Sequence, residues 1–365
     1  MLSDRVNRIA LSPTLRIAAK AGQMRAQGID VVDFSVGEPD FPTPEPVKRA
    51  GKAAIDANFT KYTANDGIAE LKAAISEKLR NENGLAYSPD EIVVSPGAKT
   101  CLFHLAMALF GPGDDVLIPS PYWVSYPDQV ALAGANAVFL PTREEDGFRL
   151  RAKALEAAVT PNTKGLILNY PCNPTGAAYS REDLEAIADV CVREDLWVLS
   201  DEIYERLLYD GARFVSIASL GEKIKKRAIV VNGFSKAFSM TGWRLGYAAG
   251  PREVIQACAK IQSHNTSNAT SFVQKAGIVA LSSCGMEVER MKQEFERRRN
   301  AIVYRLRSMP GVSCPEPKGA FYAFPNVSRY LGKEFGGASM RNTYGLAYYL
   351  LKEAHVAVIP GQAFG

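Results

Sequence analysis

Apolar residues in this chain gather into short runs, and three of those runs end on polar loops. They are GLIL at 165–168, LWVL at 196–199 and AIVV at 228–231. Four apolar residues without polar alternation predict a strand covered on both faces. The loops that follow read NYPCNPTG at 169–176, SDEIY at 200–204 and NGFSKAFSMTGWR at 232–244. Another apolar run, 245–248, leaves the last loop, and further strands are predicted at 31–36, 92–94, 116–118, 137–140, 320–324 and 356–359.

Helical spacing separates the runs. Leu71, Ala74, Ile75 and Leu79 share one face over 68–83, and Gly84 stops that helix. Ser12 and Pro13 mark a helix start, with Ile17, Ala18, Ala21 and Met24 on one face before Gly28. Other helices are predicted at 46–57, from the turn at 95–99 to near Phe110, and at 150–159, 181–194, 252–263, 271–281, 286–309 and 341–354. Strands alternating with helices predict an α/β fold, a mostly parallel central sheet flanked by helices, and a right-handed crossover through 181–194. A chain of 365 residues suits two domains. We expect a large domain at 46–285 and a smaller α+β domain from 1–45 and 286–365, bridged by the long helix. Its run Arg297, Arg298, Arg299 reads as a solvated face.

Composition narrows the function. With 43 Lys and Arg against 39 Asp and Glu, the formal charge of +4 points to neither nucleic acid nor a membrane surface. The 6 cysteines form no C-x-x-C pair and the 3 histidines lack ligand spacing, so neither a disulfide framework nor a zinc site is expected. Reduced thiols, no signal-peptide core at the N-terminus and no run long enough to span a bilayer fit a cytoplasmic protein. The turn GPGD at 111–114 is no dinucleotide fingerprint, which counts against a nicotinamide enzyme.

The three buried runs deliver Asn173, Asp201 and Lys236 to loops. In an open α/β sheet, ligands bind beyond the carboxyl ends of the strands. A lysine taken alone is more often a solvated loop charge. A carboxylate and an ammonium carried to one partly desolvated edge, however, need partners, and one ligand could serve both. The turn SPGAK at 95–99 opens a helix whose free N–H groups could seat a phosphate.

NPTG at 173–176, SDEIY at 200–204 and SKAFSMTGWRLGY at 235–247 resemble segments of fold-type I pyridoxal-phosphate enzymes, specifically class I aminotransferases. GEPDF at 37–41, KYT at 61–63 and SPYWVSYP at 120–127 match in order and spacing, and bacterial aspartate aminotransferases, a group that includes aspartate/prephenate enzymes, are the nearest in kind. The resemblance makes the large domain the pyridoxal-phosphate domain. It implies that Lys236 holds the cofactor and then acts as general base, and that Asp201 pairs with the ring nitrogen. Asn173 and Tyr204 would bond the ring hydroxyl, and Trp123 would stack on the ring. Ser235, Arg244 and the turn Gly97, Ala98, Lys99 would bind the phosphate, joined by Tyr62 of a neighbouring subunit, which implies a homodimer with shared sites. Gly37, Trp123 and Asn173 would meet the substrate. Lys99 would face an acidic side chain, so aspartate or glutamate is the expected donor and a 2-oxo acid the acceptor.

The resemblance also leaves alternatives. A lyase or cyclase of the same fold would use the same lysine, aspartate and arginine, and a cofactor sensor without catalysis would usually carry an added DNA-binding domain, for which residues 1–36 leave no room. Family members continue past the PG-x-x-FG segment at 360–365 to an arginine in R-x-S-[FY]-A that grips the substrate carboxylate. Neither Arg329 nor Arg341 matches that motif, so a chain ending at Gly365 is expected to bind the cofactor but handle amino acids poorly.

Overall fold

The computed structural model describes residues 2–9, 13–335 and 338–365. Its centre is a seven-stranded sheet of β1 (Ile92–Ser95), β2 (Asp115–Ser120), β3 (Asn136–Pro141), β4 (Thr163–Asn169), β5 (Trp197–Asp201), β6 (Ala228–Gly233) and β7 (Gly246–Ala249). The spatial order is β1-β7-β6-β5-β4-β2-β3, and only β7 runs against the rest. Side chains alternate across this sheet. Val94, Leu166, Leu168, Val198 and Val230 enter one apolar cluster, while Val93, Ile167, Leu199, Ile229 and Val231 enter the other. Both faces are therefore covered by helices, which is why the strands read as unbroken apolar runs.

The flanking helices stop and start where local chemistry dictates. Ser180 Oγ accepts from Asp183 N at 3.1 Å and Ser180 N donates to the Asp183 carboxylate at 3.3 Å, a reciprocal cap for helix Arg181–Arg193. Gly84, left-handed at φ 67°, ends helix Ala69–Asn83. The helix Pro13–Ala26 appears as expected, although Ser12 lies outside the described residues. Its Ile17, Ala21 and Met24 pack with Leu351 and Ala357 in a separate small cluster, beside a parallel pairing of Val32–Asp33 with Val356–Ala357. Among the described residues no helix is long and apolar enough to cross a membrane.

Three expectations are corrected. The strand at 320–324 is absent, and only an isolated bridge, Leu208 to Gly319, touches its start. The strands at 31–36 and 356–359 shrink to two residues each. Arg299, expected in solvent, is 6% exposed on helix Gly285–Ser308 and donates to Asp210 at 2.6 and 3.1 Å and to the Pro317 carbonyl at 2.8 Å.

A buried ion pair lies just past β5. Lys78 bonds the Glu205 carboxylate, which also accepts from Asn83 Nδ2 at 2.8 Å. Glu202, fully buried nearby, accepts from Ser216 Oγ at 2.6 Å and Ser200 Oγ at 2.8 Å. Burial, and then the charge of Glu205, push Glu202 up to about 8, so it is held as the neutral acid. Glu205 stays ionised because Lys78 offsets the cost of burying it. Lys78→Met is expected to cost about 3 kcal/mol in urea unfolding by stranding that charge. The double replacement Lys78→Met/Glu205→Leu should recover most of it, and a double no better than the single would show that the pair is not the cause.

Candidate active site

The carboxyl ends of β1, β2, β4, β5 and β6 open on one edge of the sheet, and β7 begins there because it is reversed. Residues that follow those ends gather there, together with Arg244 just before β7. β5 ends on Asp201, 4% exposed. Its Oδ2 accepts from Tyr126 Oη at 2.6 Å and its Oδ1 from Ile203 N at 3.2 Å. Burial raises Asp201 to about 6, against the opposing pull of those two hydrogen bonds and of Lys236. The carboxyl is therefore poised between charge states, and a cation placed against it would fix it as the carboxylate.

Lys236 follows β6. Its Nζ donates to the Gly37 carbonyl at 2.5 Å and lies 5.8 Å from the Tyr204 ring centre and 5.7 Å from that of Phe321. Burial lowers its amine to about 8; Glu38 and Asp201 oppose the drop, and Arg244 and Lys99 add to it. An amine in that range is available as a base near neutral pH. Thr241 Oγ1 donates to Glu38 at 2.7 Å and Thr43 Oγ1 to the Ser239 carbonyl at 2.6 Å, so segment 37–43 is tied to the lysine loop.

Arg244 and the start of helix Ala98–Leu109 meet at the β1–β7 side of this edge. Gly97, at φ 91°, caps that helix, and a Cβ there would sit 2.6 Å from the Arg244 guanidinium. Only glycine allows this approach. The Gly97 amide is turned to the Ser95 carbonyl at 2.6 Å, which leaves the first-turn amides of Ala98 and Lys99, without partners inside the helix, beside the arginine. Ser235, next to Lys236, is buried. A guanidinium, a helix amino end and a glycine cradle together make a seat for an anion such as a phosphate.

Asn173 and Tyr204 come together through Tyr322, whose hydroxyl is 2.5 Å from Tyr204 Oη and 3.2 Å from Asn173 Nδ2. Trp123 packs edge-on to Tyr126 at 5.2 Å, and Lys99 Nζ lies 4.8 Å over the Trp123 ring. Burial, then the charge of Arg244, lower the Lys99 amine. The backbone of the last residues reaches the same rim, where Tyr122 N donates to the Phe364 carbonyl at 2.9 Å. Among the described residues, Tyr62 makes no hydrogen bond or ring contact with this group. It stands 90% exposed on its loop.

Sequence reading assigned no role to Tyr126, Tyr322 or Glu38. Tyr126 carried a signal, since it lies three residues from Trp123 at the start of helix Ser125–Ala133 and so on the same side. Tyr322 sits in the segment misread as a strand.

A family model described as aminotransferase class I and II matches residues 29–365. The aspartate/prephenate aminotransferase of Cereibacter sphaeroides is 47% identical over 100% of this chain and 92% of its own length. The aspartate aminotransferase of Rhizobium meliloti is 46% identical over 100% of this chain and 89% of its own. A crystal structure of the aspartate aminotransferase from Rhizobium meliloti, 46% identical, superposes with a TM-score of 0.96, covering 100% of this chain and 92% of that one. The aspartate aminotransferase of Thermus thermophilus with maleate gives 0.93 at 42% identity, with 100% and 92% covered.

Proposed function

The chain belongs to the class I and II aminotransferases, and from that premise we propose that it uses pyridoxal phosphate to move the amino group of aspartate or glutamate to a 2-oxo acid. The observation that carries the cofactor is the donor set of one sheet edge: an amine lowered to about 8 at Lys236, a buried acid at Asp201, and Arg244 beside a helix start kept open by Gly97. These groups match the cofactor's aldehyde, ring nitrogen and phosphate in number and in charge. When bound, pyridoxal phosphate supplies an aldehyde carbon that takes up the substrate amine and a ring that draws off the electron pair of the breaking Cα–H bond.

The chain's own residues do the rest. Arg244, Ser235 and the amides of Ala98 and Lys99 fix the phosphate, so the ring keeps its place while its substituents change. Asp201, held by Tyr126, would pair with the ring nitrogen and keep it protonated. Tyr204 and Asn173 would hold the ring hydroxyl, and Trp123 would stack on the ring. Lys236 takes the proton from the substrate Cα and returns one to the product. Gly37 and Asn173 receive the substrate carboxylate. Tyr62 would serve the phosphate of a second copy in a homodimer, a reading supported by its exposure on the loop. The unpaired state of all 6 cysteines supports a reducing, cytoplasmic setting. The domain division at 46–285 against 1–45 and 286–365 is kept in this reading, supported by the separate small cluster around Ile17 and Leu351.

The absorption spectrum of the loaded protein before and after aspartate tests the reading. The visible band must give way to that of pyridoxamine phosphate, with one equivalent of the matching 2-oxo acid released. A band unmoved by aspartate and by glutamate overturns it.

Lys99 carries the acidic-substrate part, because an anion against its desolvated amine relieves both burial and the nearby Arg244 charge. Lys99→Ala should lower kcat/KM for aspartate by about 10- to 100-fold relative to alanine, the range for one hydrogen bond to a charged group. An unchanged ratio would remove Lys99 from substrate choice.

A further inference from the structure

Tyr322 lies outside every role assigned above, yet its hydroxyl touches both groups that face the ring hydroxyl. It accepts from Asn173 Nδ2 at 3.2 Å and shares a 2.5 Å contact with Tyr204 Oη. Resting on the proposed cofactor, we propose that Tyr322 is a positioning residue that sets the hydrogen-bonding direction of Tyr204.

The reasoning is a count of protons. A hydroxyl has one proton to give and two lone pairs. The Tyr322 oxygen already receives an amide N–H, and among the described residues the acceptor its own proton meets is the Tyr204 oxygen. Tyr204 is thereby left free to give its proton to a ring oxygen, and a donor that is itself receiving a hydrogen bond is a stronger one. Both phenols stay protonated. Burial first, and then the neighbouring phenol, hold Tyr204 well above its ordinary value, and burial raises Tyr322. Tyr322 is seated for the task by its backing against Gly37, where a Cβ would come within 2.8 Å of the phenol oxygen.

A weakened Tyr204 donor leaves the ring oxygen more basic, so the proton it shares with its neighbourhood is held to higher pH. The test is a pH titration of the visible absorption of the pyridoxal-phosphate-loaded protein, with Tyr322→Phe, Tyr204→Phe and the double variant. Phenylalanine keeps the ring packing on Tyr204 at 5.6 Å and Phe321 at 5.0 Å, so the fold is retained. Tyr322→Phe should raise the midpoint by about 0.3–1 pH unit, as expected for one neutral hydrogen bond. Tyr204→Phe should raise it at least as far, and the double variant no further than Tyr204→Phe alone. A Tyr322→Phe midpoint equal to the parent's overturns the inference, as does a double variant in which the two shifts add. A parent with no visible band after pyridoxal phosphate is added overturns the cofactor reading and takes this inference with it, and a parent band that does not move with pH overturns this inference alone.

Discussion

Lys236→Ala is expected to lower the half-reaction with aspartate by on the order of 10⁴-fold or more, and Lys236→Arg by as much. A positioned base contributes about 10²–10⁴-fold, and its alignment with the substrate Cα adds to that. Arginine keeps the charge but stays protonated at every working pH, so it separates a need for a base from a need for a cation. Stopped-flow absorbance after mixing with aspartate measures the loss, and an arginine variant within tenfold of the parent would show that Lys236 moves no proton.

The same variant has a second signature in the cofactor-free protein. Burial holds Lys236 at about 8 when folded, against 10.5 ordinarily. Between those values the unfolded chain binds more protons than the folded one, so the parent gains stability as pH rises through that window. Below about pH 8 the parent carries the full cost of burying an ammonium; above 10.5 it carries none. Lys236→Ala lacks this dependence. Relative to the parent it should be most stable below about pH 8 and lose ground toward pH 10.5, read as the difference in urea midpoint. A difference that stays flat with pH would mean that the amine is not desolvated.

Much of the fold was legible because burial on two faces leaves a mark. GLIL, LWVL and AIVV had no polar position to spare, and each became a strand with both neighbours paired. Asp201, Asn173 and Lys236 were legible because the short polar loops that follow such runs start at the strand's carboxyl edge, and each of these residues stands in one of those loops. The reversal of β7 was not read, although the signal existed. The segment between β6 and β7 holds no helix beyond a single turn, too little for the crossover that a parallel neighbour needs.

Other features were hidden by their partners' distance along the chain. Asp201 and Tyr126 are 75 residues apart, Tyr204 and Tyr322 118. The aromatic run at 320–324 looks like a strand, but its rings serve as packing faces, with Phe321 stacked on Phe295 at 5.1 Å. On helix Gly285–Ser308, Arg299 falls in step with Val288, Met291, Phe295 and Val303 on the buried stripe, so of the three arginines it is the one that turns inward. That Arg299 could do so depended on Asp210 and Glu316 arriving from elsewhere.

Asp201→Asn is expected to lower kcat by about 10³-fold, the scale for losing one preorganised charge in a water-excluded site. Asparagine keeps the shape and can still accept from Tyr126, so the loss isolates the charge that would hold a proton on the ring nitrogen. Asp201→Glu, with the charge kept, should retain more activity than the isosteric asparagine. The reverse order would make shape the determinant. Stability should move the other way in the cofactor-free protein. Folding raises Asp201 from 3.8 to about 6, so the folded state binds more protons across that window and the parent loses stability as pH rises through it. The burial cost is absent below pH 3.8 and complete above about pH 6. Asp201→Asn, which never ionises, should therefore gain on the parent from pH 4 to 6 and hold that gain at pH 7. Adding pyridoxal phosphate should reverse the order at pH 7, because a bound cation against the carboxylate stabilises the parent alone. An Asp201→Asn protein that is less stable than its parent with and without cofactor would mean that this carboxyl is a structural acid, and that the ring nitrogen finds its proton elsewhere.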